Sequence, residues 1–335
     1  MRVDTALFSP HGAVERAAHL RRLGFDGVFT FEGPHDVFHP LAMVAGAGID
    51  LDLWTNVAIA FPRNPIHLAH AAWDLADLTG GRFALGLGTQ VRTHITERFG
   101  VPFDRPVARM RELIEALRAI FAAWQDGTRL DVRGEFYTHT RMSPMFSPQP
   151  LPTGPPPIHV GALGPQMTRM VAGHADGLLV MPFNSQRHLD DHVWPNVAAG
   201  LARAGRDDGD LTVVVEAIVA VGRDDAEQAV ADAGTRALLA FYGSTPAYRP
   251  VLEAHGWGDL QPELQALTRS GAWDTLPDLI DDEVLATIAV RGTPDEVAVQ
   301  LRGRFGDRPD RLALYTPYAA TDDLLGELVA AIHTA

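Results

Sequence analysis

Short β-branched or apolar runs alternate with segments of helical spacing from one end of the chain to the other, and that alternation leaves few folds open. The strand-like runs lie at 3–8, 26–31, 53–60, 82–87, 157–161, 176–181, 211–221 and 311–315, each followed by a segment that can be helical, the last of these at 320–333. Repeated βα units set parallel strands side by side under a cover of helices. About eight of them in 335 residues predict an α/β fold, a closed (β/α)8 TIM barrel with its site at the C-terminal ends of the strands. A doubly wound open sheet comes second. Against it, the first βα turn, "FSPHGAVERA", lacks GxGxxG, and Gly86 and Gly88 have no third glycine at the required spacing.

Two stretches exceed a minimal barrel and read as insertions into one domain spanning 1–335. Residues 127–156 suggest a hairpin turning at "RGE" followed by a Pro-rich connector, and 242–290 suggest several short helical pieces. Long insertions at barrel ends serve as lids or binding loops about as often as they serve packing or dimerisation. A formal charge of −14 without a Lys/Arg run argues against a nucleic-acid partner, and the absence of cysteine removes disulfides and thiol chemistry. "MRVDTALFSP" has no apolar stretch of signal-peptide length, and Glu216 interrupts the longest apolar run, "VVVEAIVAV". The expected location is the cytoplasm, away from membranes.

The most informative local pattern is "PPIHVGALGPQMTRMVAGHADGLLV" at 156–180. Ile158–Val160 supplies a strand, Gly161, Ala162, Leu163 and Gly164 a turn, and Pro165 suits the first turn of a helix that continues through Gln166. Such a turn leaves backbone N–H groups at a positive helix end, where an anion gains hydrogen bonds and about 0.3–1 kcal/mol from the dipole. The alternative is an ordinary βα turn with no ligand. The fourth strand ends in Gly86-Leu87-Gly88-Thr89-Gln90, small enough at its glycines to leave room for a flat ligand. After the second strand, "TFEGPHDVFHP" puts Glu32, His35, Asp36 and His39 at the barrel rim, and His35 is suited either to proton exchange near neutral pH or to a capping role. His67 with His70, and His188 with His192 around Asp190 and Asp191, are weak candidates for a metal, and solvated helix faces explain both. Tyr242, Tyr248, Trp257 and Trp273 can line a pocket or simply pack.

In order along the chain, "LGFDGVFTFEGPHD", "VAIAFPRNP", "LTGGRFALGLGTQ", "FDRPVARMRELIEALRAIF", "PPIHVGALGPQMTRMVAGHADGLL", "STPAYRPVLEAHGW" and "VRGTPDEVAVQL" resemble the luciferase-like monooxygenase superfamily, and within it the coenzyme F420-dependent oxidoreductase branch. The resemblance implies a barrel enzyme that moves a hydride between F420, a deazaflavin, and a small organic substrate. Carried onto this chain, it places the cofactor phosphate at Gly161, Ala162, Leu163, Gly164, Pro165 and Gln166, and a strand bulge with a non-prolyl cis peptide behind the ring within Asn56, Val57, Ala58 and Ile59. Gly88, Thr89 and Gln90 would follow the cofactor tail, and His35 falls where relatives hold an active-site histidine. Some relatives carry an acid at the first strand end, where this chain has Phe8-Ser9. FMN is the alternative cofactor, implying a monooxygenase served by a flavin reductase; a non-catalytic cofactor-binding protein is a third reading. The resemblance also implies a dimer or larger assembly.

Overall fold

The computed structural model describes residues 1–335 and closes the eight expected strands into a parallel barrel. They are β1 (Arg2–Ala6), β2 (Gly27–Thr30), β3 (Asp52–Thr55, resumed at Ala58–Ile59), β4 (Phe83–Gly88), β5 (Ile158–Ala162), β6 (Gly177–Val180), β7 (Thr212–Val221) and β8 (Arg311–Tyr315). Every neighbouring pair is parallel, and β8 returns to β1 with Val3 opposite Leu312 and Thr5 opposite Leu314. Closure leaves no unpaired edge.

Helices cover the outside because their apolar stripes match the outward faces of the strands. The helix Pro65–Thr79 begins at Asn64, whose side chain accepts from the Ile66 N–H, and buries Leu68, Ala72, Trp73 and Leu75 on one face. Inside the barrel a separate small cluster of Ala6, Phe29, Trp54, Leu179, Val214 and Ala313 fills the middle layer. Side chains two residues further along each strand point the same way and therefore face the mouth.

The sequence reading of 53–60 as one strand needs correction. It is interrupted at Asn56 and Val57, whose connecting peptide bond is cis. The insertion at 127–156 does form an antiparallel hairpin, Val132–Arg133 with Thr138–His139, and Glu112 holds its turn by accepting from the N–H groups of Glu135, Phe136 and Tyr137 at 3.0, 2.7 and 2.6 Å. The insertion at 242–290 is a set of short helices with its own apolar cluster, in which Leu252, Leu264 and Leu285 pack against Phe183 and Ile218. Its end forms a short strand, Val290–Gly292, that extends the sheet beside the upper part of β7. No helix is long and apolar enough to cross a membrane.

Candidate active site

The interruption of β3 organises one side of the mouth. Thr55 locks the strand to β4 through two hydrogen bonds, its Oγ1 donating to the Gly86 carbonyl at 2.7 Å and accepting from the Gly86 N–H at 2.8 Å. The strands approach so closely that a Cβ on Gly86 would fall 1.7 Å from the Thr55 carbonyl oxygen. One residue beyond the cis bond, the chain pairs again, Ala58 with Leu87 and Ile59 with Gly88. The Val57 side chain then occupies the space a Cβ on Gly88 would need, at 2.3 Å, and lies 3.6 Å from the position of a Cβ on Gly161. The structure thus brings together Asn56, Val57, Gly88 and Gly161, residues separated by more than a hundred positions in the chain.

Next to this seam, β5 runs into the glycine turn and the helix Pro165–His174. Gly164 is the N-cap and no side chain caps the first turn, so the N–H groups of Gln166 and Met167 are left to solvent or a ligand. A Cβ on Gly164 would meet nothing within 4 Å. Ala162 and Leu163 are half-buried, while Gly164, Pro165 and Gln166 are exposed. Thr89 and Gln90 flank the same opening, with Gln90 in the left-handed region at φ 56° and its Oε1 accepting from the Val91 N–H at 2.9 Å. An open, uncapped helix end beside a bulge and two glycines fits a phosphate-bearing planar group.

The opposite side of the mouth is built by β7, β8 and the second insertion, and the sequence reading missed it. Glu216 stands two residues beyond Val214 on the inner face of β7. It keeps some access from the open mouth but is enclosed by protein elsewhere, and this burial pushes its carboxyl up to about 8, with the Asn56 amide pulling it partly back. The Asn56 Nδ2 is itself buried and completes no hydrogen bond of normal geometry, so the approach to Glu216 leaves donor capacity unused. Around Glu216 stand Tyr315 from β8, Tyr242 from the helix Asp225–Gly243, and Tyr248 from the turn Pro246–Tyr248, all with hydroxyls raised by burial. Phe183 packs behind Tyr242 and Tyr248 in the buried cluster of the insertion, its ring centroid 6.2 Å from Tyr242 and 5.9 Å from Tyr248. The available signal was the lone carboxylate within "VVVEAIVAV".

The remaining candidates separate from this centre. His35 is exposed on the rim, its ring 6.3 Å from that of His11. Glu32 is occupied structurally: it accepts from the Ile59 N–H at 2.9 Å and pairs with Arg63 at 2.5 Å, bracing the resumed part of β3. His39 and His67 are exposed, and His70 packs on Trp124. His188 is buried, its imidazole lowered to about 4 first by burial and then by the neighbouring His192 and His255. No three His, Asp or Glu side chains converge as metal ligands. Of the four insertion aromatics, Tyr242 and Tyr248 reach the mouth, Trp257 stacks on His255 at 4.7 Å, and Trp273 is 54% exposed.

A family model for luciferase-like monooxygenase matches residues 1–309. An uncharacterized protein of Mycobacterium tuberculosis is 50% identical over 90% of this chain and 88% of its own. A 5,10-methylenetetrahydromethanopterin reductase of Archaeoglobus fulgidus is 30% identical over 82% of this chain and 80% of its own. Among solved structures, the coenzyme F420-dependent tetrahydromethanopterin reductase of Methanopyrus kandleri superposes with a TM-score of 0.84, covering 99% of this chain and 98% of that one at 17% identity. With the barrel, the broken third strand and the glycine turn in place, these likenesses establish that the chain belongs to the luciferase-like monooxygenase family of enzymes.

Proposed function

We propose that this enzyme transfers a hydride between coenzyme F420 and a small organic substrate. The observation that carries the reading is the joined seam of Asn56–Val57, Gly88 and Gly161 beside an uncapped helix end, which offers a flat wall and an anion site in one opening. F420 is chosen over FMN because a relative from Mycobacterium tuberculosis, 29% identical over 87% of this chain and 87% of its own, bears the name of a coenzyme F420-dependent oxidoreductase. When bound, a deazaflavin supplies a hydride carrier with little reactivity towards oxygen.

The residues of the chain divide the remaining work. The N–H groups around Gly161, Ala162, Leu163, Gly164 and Gln166 hold the phosphate, with Pro165 fixing the helix start. Asn56, Val57 and Ala58 back the ring, and Gly88, Thr89 and Gln90 border the tail. His35, exposed beside His11, exchanges the reaction proton with solvent.

The test is a titration of the purified protein with F420 and, separately, with FMN, followed by fluorescence. Tighter binding of F420, together with substrate-dependent loss of its absorbance, supports hydride transfer. Preference for FMN, with oxygen consumption when a flavin reductase is supplied, replaces the reading with a monooxygenase. Tight binding with no turnover over a panel of alcohols, aldehydes and enones leaves a cofactor-binding protein without catalysis.

A further inference from the structure

Each ionisable side chain near the barrel axis except one is accounted for by a partner or by its position. Asp4 is enclosed at the floor against Arg311, Glu32 is committed to Arg63 and the Ile59 N–H, and His159 lies buried at the floor against Gly177. His35 stands out on the rim. Glu216 alone faces the mouth with no cation beside it.

The surroundings of Glu216 specify what it can receive. Tyr315 faces it from β8, Tyr242 from the long helix after β7, and Tyr248 from the insertion, while β3 contributes the uncharged Asn56. Just past the end of β6, the partly buried Met181 is apolar and packs on the cluster that holds Phe183. A carboxyl in this setting is held in its neutral form near pH 7, when it is a donor. The Asn56 amide has an unused N–H in the same space. Two donors converging in a partly desolvated pocket favour an oxygen on which negative charge develops. Anionic substrates would meet no cation here, and a cationic group would meet a carboxyl that is not charged.

We propose that Glu216 is a catalytic proton donor, and that with the Asn56 amide it receives the oxygen of a neutral carbonyl substrate packed against Tyr242 and Tyr248. The proposal rests on the hydride-transfer reading above. In the reducing direction the carbonyl carbon gains a hydride, whose two electrons come from the reduced deazaflavin, and the C=O π pair moves onto oxygen. That oxygen takes the Glu216 proton to become a hydroxyl, and the carboxylate left behind recovers a proton from solvent through the mouth, the exchange that His35 at the rim assists. Alcohol oxidation is the same sequence reversed, with Glu216 as the acceptor.

Two variants and two readouts test it. Glu216→Leu removes donor and proton together, whereas Glu216→Gln keeps an N–H donor and has no proton to deliver. The first readout needs no cofactor: the infrared carbonyl band of cyclohexanone bound to the protein. It is expected to shift to lower frequency in the native protein and in Glu216→Gln, and to return towards its unbound position in Glu216→Leu. The second is reduction of cyclohexanone by reduced F420, expected to fall on the order of 10²–10⁴-fold in Glu216→Gln with F420 affinity unchanged. The native rate should also decline as pH rises through about 8, and the residual Glu216→Gln rate should not. An unshifted ketone band in the native protein, or native-like turnover in Glu216→Gln, overturns the proposal. Failure of the native protein to bind F420, with the ketone band still shifted, overturns instead the hydride-transfer reading on which proton delivery depends.

Discussion

The floor and the mouth of the barrel both hold a carboxylate away from bulk water, and they treat it in opposite ways. At the floor, Arg311 grips Asp4 with two hydrogen bonds of 2.6 and 2.7 Å and reaches Asp52 at 2.7 Å. Burial raises the Asp4 carboxyl and Arg311 opposes that rise; desolvation works against the guanidinium, but Asp4 and Asp52 outweigh it and hold it above its usual range. Gly27 makes the arrangement possible, since a Cβ there would fall 2.6 Å from Asp4 Oδ1. At the mouth, Glu216 has hydroxyls and an amide around it but no cation, and is held in its neutral form instead. A satisfied buried pair fixes geometry; an unsatisfied acid can give its proton away.

The strongest test of this contrast is Arg311→Met. Removing one partner leaves Asp4 buried without compensation, and about 3–5 kcal/mol of stability should be lost, measured by urea unfolding. A change below about 1 kcal/mol would mean that the floor does not depend on the pair. Glu216→Gln should do the reverse. Because folding raises this carboxyl from 4.5 to about 8, the folded chain keeps a proton that the unfolded chain releases between those values, so native stability falls as pH rises through the window. The variant lacks that proton. Its stability relative to the native protein should therefore climb from pH 4.5 to about 8 and level off above, by on the order of 3 kcal/mol allowing for the access Glu216 retains. A difference independent of pH would place Glu216 in an ordinary aqueous setting.

Most of the architecture was legible because period and spacing are local. The eight strand runs, the hairpin at "RGE" and the helix after "GALG" each announce themselves within about fifteen residues. The break in β3 was legible only through resemblance, since "TNVAIAF" is uniformly suited to a strand and the interruption arises where Val57 meets Gly88 and Gly161. Glu216 was hidden for a different reason. A parallel barrel strand is buried on both faces, so alternation disappears and "VVVEAIVAV" does not tell whether its one acid points to the helices or to the lumen. Its partners Asn56, Tyr242 and Tyr315 come from distant elements that only closure of the barrel assembles.

Two glycines refine the comparison further. Gly177 at the floor lies under His159, and an added Cβ would fall 2.4 Å from His159 Cδ2. Because that ring is buried and kept neutral, with its imidazole lowered to about 4, it has little room to yield, and Gly177→Ala should cost about 1–3 kcal/mol. At the mouth, Gly161→Ala meets Val57 at an ordinary 3.6 Å, so stability should change by less than about 0.5 kcal/mol. If Gly161 borders the cofactor as proposed, the added methyl enters that space and F420 affinity should weaken roughly tenfold, equivalent to about 1.4 kcal/mol. Equal stability losses at the two positions would erase the distinction between a packed floor and an open mouth.

The smallest effect belongs to His35. It is exposed, with its ring 6.3 Å from that of His11, so His35→Ala should leave unfolding within about 0.5 kcal/mol of the native protein. A general acid touching the reacting oxygen contributes about 10²–10⁴-fold, and the proposal assigns that position to Glu216 on the inner face of β7. A rim histidine that exchanges the proton with solvent can be replaced in part by water and buffer, so its loss should slow turnover by roughly tenfold at most and be relieved by added imidazole. Turnover of His35→Ala equal to that of the native protein, with F420 affinity unchanged, removes His35 from the reaction. A loss as large as that of Glu216→Gln would instead move proton delivery from the enclosed acid to the rim and reverse the roles assigned to the two residues.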